Sequence, residues 1–257
     1  MWTPYNYCKN DPIRFIDPDG MAVAPIYDEN ANFLGTDDQG LKGKAIVMKR
    51  EKFKQGMAHE EALKNNLGAN GLSTEAIQTK FINHYDGLKS RPDYDGKVTI
   101  NEGVNWAKSH PNLGLNPNTQ VYERASPDDY LYLDASKMDF GFLSNKDFSN
   151  GIGNVSNINL FNLDLVDFIS NSSRYTTYAL GRTKMTLLDK NGFVRVENGT
   201  WNNYDWDNGG NLLREILIRS DRTLKGLDPN IHGFPVQVYG IGKLNYTTRA
   251  PRFTLPN

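Results

Sequence analysis

The feature that most constrains this chain is Asp189-Lys190-Asn191-Gly192, set between Thr176 to Leu188 and Phe193 to Glu197. Two β-prone runs joined by a short Asn-Gly turn predict an antiparallel hairpin, because Asn and Gly tolerate the positive φ that tight hairpin turns demand. The same chain carries the opposite signal upstream. Ser73 is placed to cap a helix in which Ile77, Phe81, Ile82, Tyr85 and Leu88 recur at helical spacing. A segment His59 to Leu67 reads as a short helix stopped by Gly68, and another helix begins near Glu102 with Val104, Trp106 and Ala107. Ala24 to Tyr27 and Asn32 to Gly35 read as a hairpin, and Lys44 to Met48 as a further strand.

From 111 to 135 the prolines at 111, 117 and 127 break any long element. After Ser136 the pattern becomes aromatic and β-branched. Asn211 to Arg222 reads as an amphipathic helix and Val236 to Leu244 as a last strand. The expected class is α+β: a small helical EF-hand-like subdomain, then an α+β domain with a curved, mostly antiparallel sheet. The expected divisions are 1–22, a β-rich adaptor at 23–50, a helical segment at 51–112 and a C-terminal effector domain at 113–257.

Composition narrows the function. With 29 basic and 30 acidic residues the net charge is −1, so nucleic acid is not favoured as a partner. One cysteine, Cys8, excludes an internal disulfide and a thiolate metal cluster. His59, His84, His110 and His232 show no zinc-ligand spacing. No apolar run is long enough for a membrane span, so an integral membrane protein is not expected. Nor does the N-terminus read as a signal peptide, so export is expected to depend on an upstream portion or on a dedicated export machine.

Asp93-Tyr94-Asp95-Gly96-Lys97-Val98-Thr99-Ile100-Asn101-Glu102 resembles the second part of an EF-hand loop. Asp93 and Asp95 would offer carboxylates, Lys97 its carbonyl, and Glu102 a bidentate carboxylate, with Gly96 at the sharp turn. A structural Ca2+ is the expected ligand. The departure is Arg91, which stands where the loop's first aspartate belongs. The open alternative is a helix-loop-helix that keeps the shape without the metal.

A denser set of chemistry lies at Tyr204, Asp205 and Asp207, just ahead of Arg214, with His232 further on. Two carboxylates, a phenol, a guanidinium and an imidazole suit metal-assisted attack on a phosphate ester, a carboxylate serving alternatively as general base. The other reading makes Tyr204 an aromatic anchor and Asp205 and Asp207 caps of the next helix.

Tyr5, Tyr7, Asn10, Pro12, Asp17, Pro18 and Gly20 resemble, in type and spacing, the last segment of the Rhs repeat-associated core. That resemblance implies that residues 1–22 are the tail of a carrier core. The remainder would then be variable cargo of a polymorphic toxin, secreted or translocated, used between competing bacteria and matched by a cognate immunity protein. Residues 177 to 244 are similar, more distantly, to the catalytic domain of colicin M-type bacteriocins through the Tyr204-Asp205 pair. Asn202 stands where that family has its first Asp. This second resemblance implies a Mg2+-dependent hydrolase acting on lipid-linked peptidoglycan precursor in the target-cell periplasm or envelope. Two other readings stay open: a non-catalytic, calcium-stabilised binding or structural module, and a nuclease toxin.

Overall fold

The computed structural model describes residues 24–111, 113, 125–160, 171–197, 203–204, 216, 219–220, 223–224, 226 and 233–248. The chain divides into two compact units, Met1–Asp95 and Gly96–Asn257. It is an α+β fold.

In the first unit, β1 (Pro25–Tyr27) pairs antiparallel with β2 (Phe33–Thr36) and parallel with β3 (Ile46–Val47), giving the order β2-β1-β3. The hairpin and the third strand were both legible in the sequence. Ile26, Leu34, Ile46, Met48, Met57 and Ala62 form its buried apolar centre. Helix α1 (His59–Lys64) ends before Gly68, whose φ of 63° lies in the left-handed region. Helix α2 (Glu75–Gly87) packs Phe81 edge-on against Tyr27, with ring centroids 4.9 Å apart, and the Tyr27 hydroxyl meets His84 Nδ1 at 2.8 Å. Its N-cap is Thr74 rather than Ser73. The Thr74 side chain accepts from the Ile77 amide, which places the three-residue capping offset one position later.

In the second unit, α3 (Ile100–Ser109) opens with a capping box: Thr99 Oγ1 accepts from the Glu102 amide, and Glu102 Oε2 accepts from the Thr99 amide at 2.7 Å. Within the stretch expected to be irregular lies a strand, β4 (Leu131–Asp134), after the proline-rich segment. It has three buried apolar side chains in four residues, as a strand covered on both faces requires. Next come β5 (Val155–Asn159), α4 (Asn171–Leu180), β6 (Arg182–Leu187), β7 (Phe193–Glu197) and β8 (Asn203–Tyr204). The last elements are β9 (Phe234–Tyr239) and β10 (Gly242–Lys243).

Two sheets result, with orders β10-β7-β6-β5 and β4-β9-β8. The four-stranded sheet is antiparallel throughout, whereas β4 and β9 run parallel. The hairpin across Asp189–Gly192 is present as expected, but Thr176–Leu180 is helical, not the first part of a strand. Tyr175, Tyr178, Ala179 and Leu180 join the apolar core, and Thr176 and Thr177 are buried with them. Packing all around this stretch thereby outweighs the β preference of its threonines. The last predicted strand is also two, separated at Gly240 (φ 73°). Of the helix expected at Asn211–Arg222, only Ile216, Arg219 and Ser220 are described, and residues 1–23 lie outside the described residues.

Candidate functional site

Helices α3 and α4 bring polar side chains from distant parts of the sequence around one cavity of about 360 Å³ in the second unit. Its lining includes Lys97, Thr99, Asn101, Lys137, Ser172 and Tyr175, with Val98 and Ile100 as apolar wall. Lys97, Thr99 and Asn101 come from the first turn of α3 and the residues before it. Ser172 and Tyr175 come from the first turns of α4. Lys137 ends the short 3-10 turn after β4, with its Nζ 4.0 Å from Asp134 Oδ2. Val98 is wholly buried and pins the entry to α3.

One side of this cavity is held by Asp139. Ser172 donates its hydroxyl to Asp139 Oδ2 at 2.7 Å, while Asn245 Nδ2 and the Gly141 amide donate to Oδ1 at 2.8 and 2.9 Å. The carboxylate thus ties α4 to its own loop and to the chain after β10. Desolvation acts to raise the Asp139 carboxyl, but the bonds from Ser172, Gly141 and Asn245 outweigh it and hold it below the ordinary 3.8. A carboxylate lowered on folding contributes stability above its unfolded value, and that contribution is lost as pH falls through the folded value. Asp139→Asn is therefore expected to cost roughly 1.5–3 kcal/mol at neutral pH. Urea titrations of both proteins should show that difference shrinking in acid, and a pH-independent difference would contradict the assignment.

The cavity presents two ammonium groups, two hydroxyls, an amide and a phenol. Among its described lining residues there is no carboxylate or imidazole. Such a surface suits an anionic oxygen-rich group, with the N-terminal ends of two helices adding favourable potential. No sequence motif announces it, because Lys137, Asp139, Ser172 and Tyr175 gain meaning only when α4 is placed beside the Lys97–Asn101 segment.

Of the residues expected to be catalytic, Tyr204 is wholly buried. Its ring stacks on Phe234 at 4.9 Å between centroids and lies 6.3 and 6.0 Å from Tyr175 and Tyr178. Gly103 of α3 approaches so closely that a Cβ there would come within 2.9 Å of the Tyr204 ring. Tyr204 is thus a core residue at the strand end that leads into Asp205. Asp205, Asp207, Arg214 and His232 lie outside the described residues.

The residues expected to hold calcium fall on both sides of the division between the units. In the first, Arg91 Nε and Nη2 bond the two oxygens of Asp93 at 3.0 and 3.1 Å, and Asp93 is wholly buried while Asp95 is exposed. In the second, Gly96 has φ 77° as the loop pattern requires, Lys97 is exposed, and the Glu102 carboxylate serves the capping box. Arg91, the departure from the loop pattern, brings to Asp93 the positive charge that the motif assigns to a cation. Among the described residues no group of three or more His, Cys, Asp or Glu side chains could hold a metal ion.

The first unit contains a second buried polar pair. His59 Nδ1 lies 2.6 Å from Asp37 Oδ2, with side-chain exposures of 8% and 0%. Burial pushes the Asp37 carboxyl up, although His59 and the Gln39 amide act against it. His59 Nε2 has no hydrogen-bond partner among the described residues. No helix among the described residues is long and apolar enough to cross a membrane. Compared with protein-family models, curated proteins and solved structures, the chain matches none of them.

Proposed function

We propose that this chain is the cargo of an Rhs-type polymorphic toxin used between competing bacteria. In this reading its C-terminal unit hydrolyses a phosphoester or pyrophosphate of a lipid-linked cell-wall precursor in the target envelope. The observation that carries the reading is the seven-position match from Tyr5 to Gly20, which marks the residues after Gly20 as cargo. The lysine- and hydroxyl-lined cavity supports the choice of an anionic substrate. Lys97 and Lys137 neutralise the phosphoryl oxygens, and Thr99, Asn101 and Ser172 orient them by hydrogen bonds.

Asp205 or Asp207 draws the proton from the attacking water, and Arg214 and His232 assist at the leaving oxygen. Tyr204 is a positioning residue: its buried ring fixes strand β8. Magnesium, where bound, would be held by Asp205 and Asp207 and would supply charge neutralisation at phosphorus. A cognate immunity protein is the expected partner in the producing cell.

Expression in a bacterial host, with and without an export signal, tests this directly. Growth arrest is expected only for the exported form. Asp205→Ala, and separately Lys97→Glu with Lys137→Glu, should abolish it while the chain remains folded by circular dichroism. Killing confined to the cytoplasmic form would replace the envelope hydrolase with a nuclease or another internal activity. Folded protein harmless in both compartments would leave a non-catalytic module.

A further inference from the structure

The solvent face of the four-stranded sheet has a charge pattern that the near-neutral composition hides. Residues of β6 alternate, so Thr183, Met185 and Leu187 enter the core while Arg182 and Lys184 face outward. Register extends this face across the sheet. Arg195 on β7 lies opposite Thr186, and Lys243 on β10 lies opposite Phe193. Arg182, Lys184, Arg195 and Lys243 therefore descend the face as a diagonal, each about two residues, or about 7 Å, further along the strand direction. All four are exposed. Among the described residues of these strands the outward carboxylate is Glu197, opposite Lys184 by register, which accepts from Arg195 Nε at 3.1 Å and from the Thr186 hydroxyl at 2.7 Å, while Asp189 in the adjoining turn lies in the field of Lys243. Neither Arg182 nor Lys184 has an ion-pair partner among the described residues.

The same surface carries exposed apolar side chains. Val155 on the edge strand β5 is 46% exposed and Phe193 38%, while Ile152 and Ile241, in the turns beside the sheet, are 52% and 53% exposed. By register, Val155, Phe193 and Ile241 all lie toward the end of the sheet that holds the Asp189–Gly192 turn, where Arg195 and Lys243 also stand. Lys243 Nζ lies 4.7 Å over the Phe193 ring. By register Thr186 and Arg195 lie between Val155 and Ile241, so this end interleaves exposed apolar and cationic side chains, as a surface at the headgroup boundary does.

We propose that this face docks on an anionic phospholipid surface. Lipid chemistry fits both halves of the pattern. Phosphate headgroups meet the cation diagonal, and the aliphatic end enters the boundary between headgroups and acyl chains. Nucleic acid would use the cations, but the one aromatic ring of this end, Phe193, is already covered by Lys243, and Ile152, Val155 and Ile241 offer bases nothing to stack on. The inference is independent of the hydrolase reading; it concerns where the chain sits, not what it cleaves.

Co-sedimentation of the full chain with vesicles tests it, comparing phosphatidylcholine alone with phosphatidylcholine containing phosphatidylglycerol. Binding is expected only to the anionic vesicles and should weaken with salt. Arg182→Ser with Lys184→Ser should lower the partition coefficient roughly twenty-fold. Phe193→Ser with Ile241→Ser should lower it about ten-fold at unchanged charge. Both pairs are solvent-facing, and unchanged circular dichroism will show that they fold. Equal binding to neutral vesicles, or binding that survives both double variants, would overturn the proposal. So would a preference for a single-stranded oligonucleotide or an acidic protein that ignores Phe193→Ser with Ile241→Ser.

Discussion

Tyr204→Ala is expected to lower the unfolding free energy of the second unit by about 3–5 kcal/mol, the usual cost of truncating a fully buried aromatic. The ring is enclosed by Phe234, Tyr175 and Tyr178, with the Gly103 backbone close by. Four elements meet at this residue: α3, α4, β8 and β9. The helix side cannot readily collapse into the void, because α3 is fixed by its capping box and by Val98, Val104 and Ala107 in the same core. Tyr204→Phe keeps the ring and should lose only a fraction of that stability. Urea titration followed by tryptophan fluorescence measures both variants. A loss below about 1 kcal/mol for Tyr204→Ala would mean that the ring is not packed as described.

The second large effect belongs to Arg91. Removing its side chain leaves the wholly buried Asp93 carboxylate without its two-point guanidinium contact. Breaking a buried pair from one side costs about 3–5 kcal/mol. Arg91→Lys should recover little, since an ammonium cannot reproduce the fork. The double variant Arg91→Ala with Asp93→Ala should be more stable than Arg91→Ala alone, because the buried carboxylate that lost its guanidinium is removed with it. Thermal unfolding of the three variants checks the order. If the double variant is the least stable, the pair is held by something other than mutual charge compensation.

Legibility in the sequence depends on the distance over which a residue's environment is decided. The hairpin at Asp189–Gly192 was readable because four adjacent residues determine it, and Asp189 completes it by accepting from the amides of Asn191 and Phe193. The β1–β2 hairpin and α2 were readable for the same reason. Strand β4 was not, since its four residues come after a proline-rich stretch and acquire strand character only by pairing with β9. Thr176–Leu180 was misread because threonine favours strands locally, while the packing of Tyr175 and Tyr178 is a tertiary fact. The candidate cavity was illegible for a stronger reason. Its lysines, hydroxyls and supporting Asp139 are spread over about eighty residues, and none belongs to a motif. What the sequence did reveal of that region was Lys97 and its turn, read for a different ligand.

The parallel pairing of β4 with β9 also has a temporal meaning. Leu131 lies beside Val236, so this central ladder joins segments about a hundred residues apart. During synthesis, β4 must wait until nearly the whole described chain has emerged before it finds its neighbour. Closing so long a loop is entropically unfavourable and makes non-local pairing slow. The β6–β7 hairpin can form from local contacts, and β5 joins it across a far shorter loop, while β4 is still waiting. The second unit is therefore expected to mature in two stages, with its cavity assembled only in the later one.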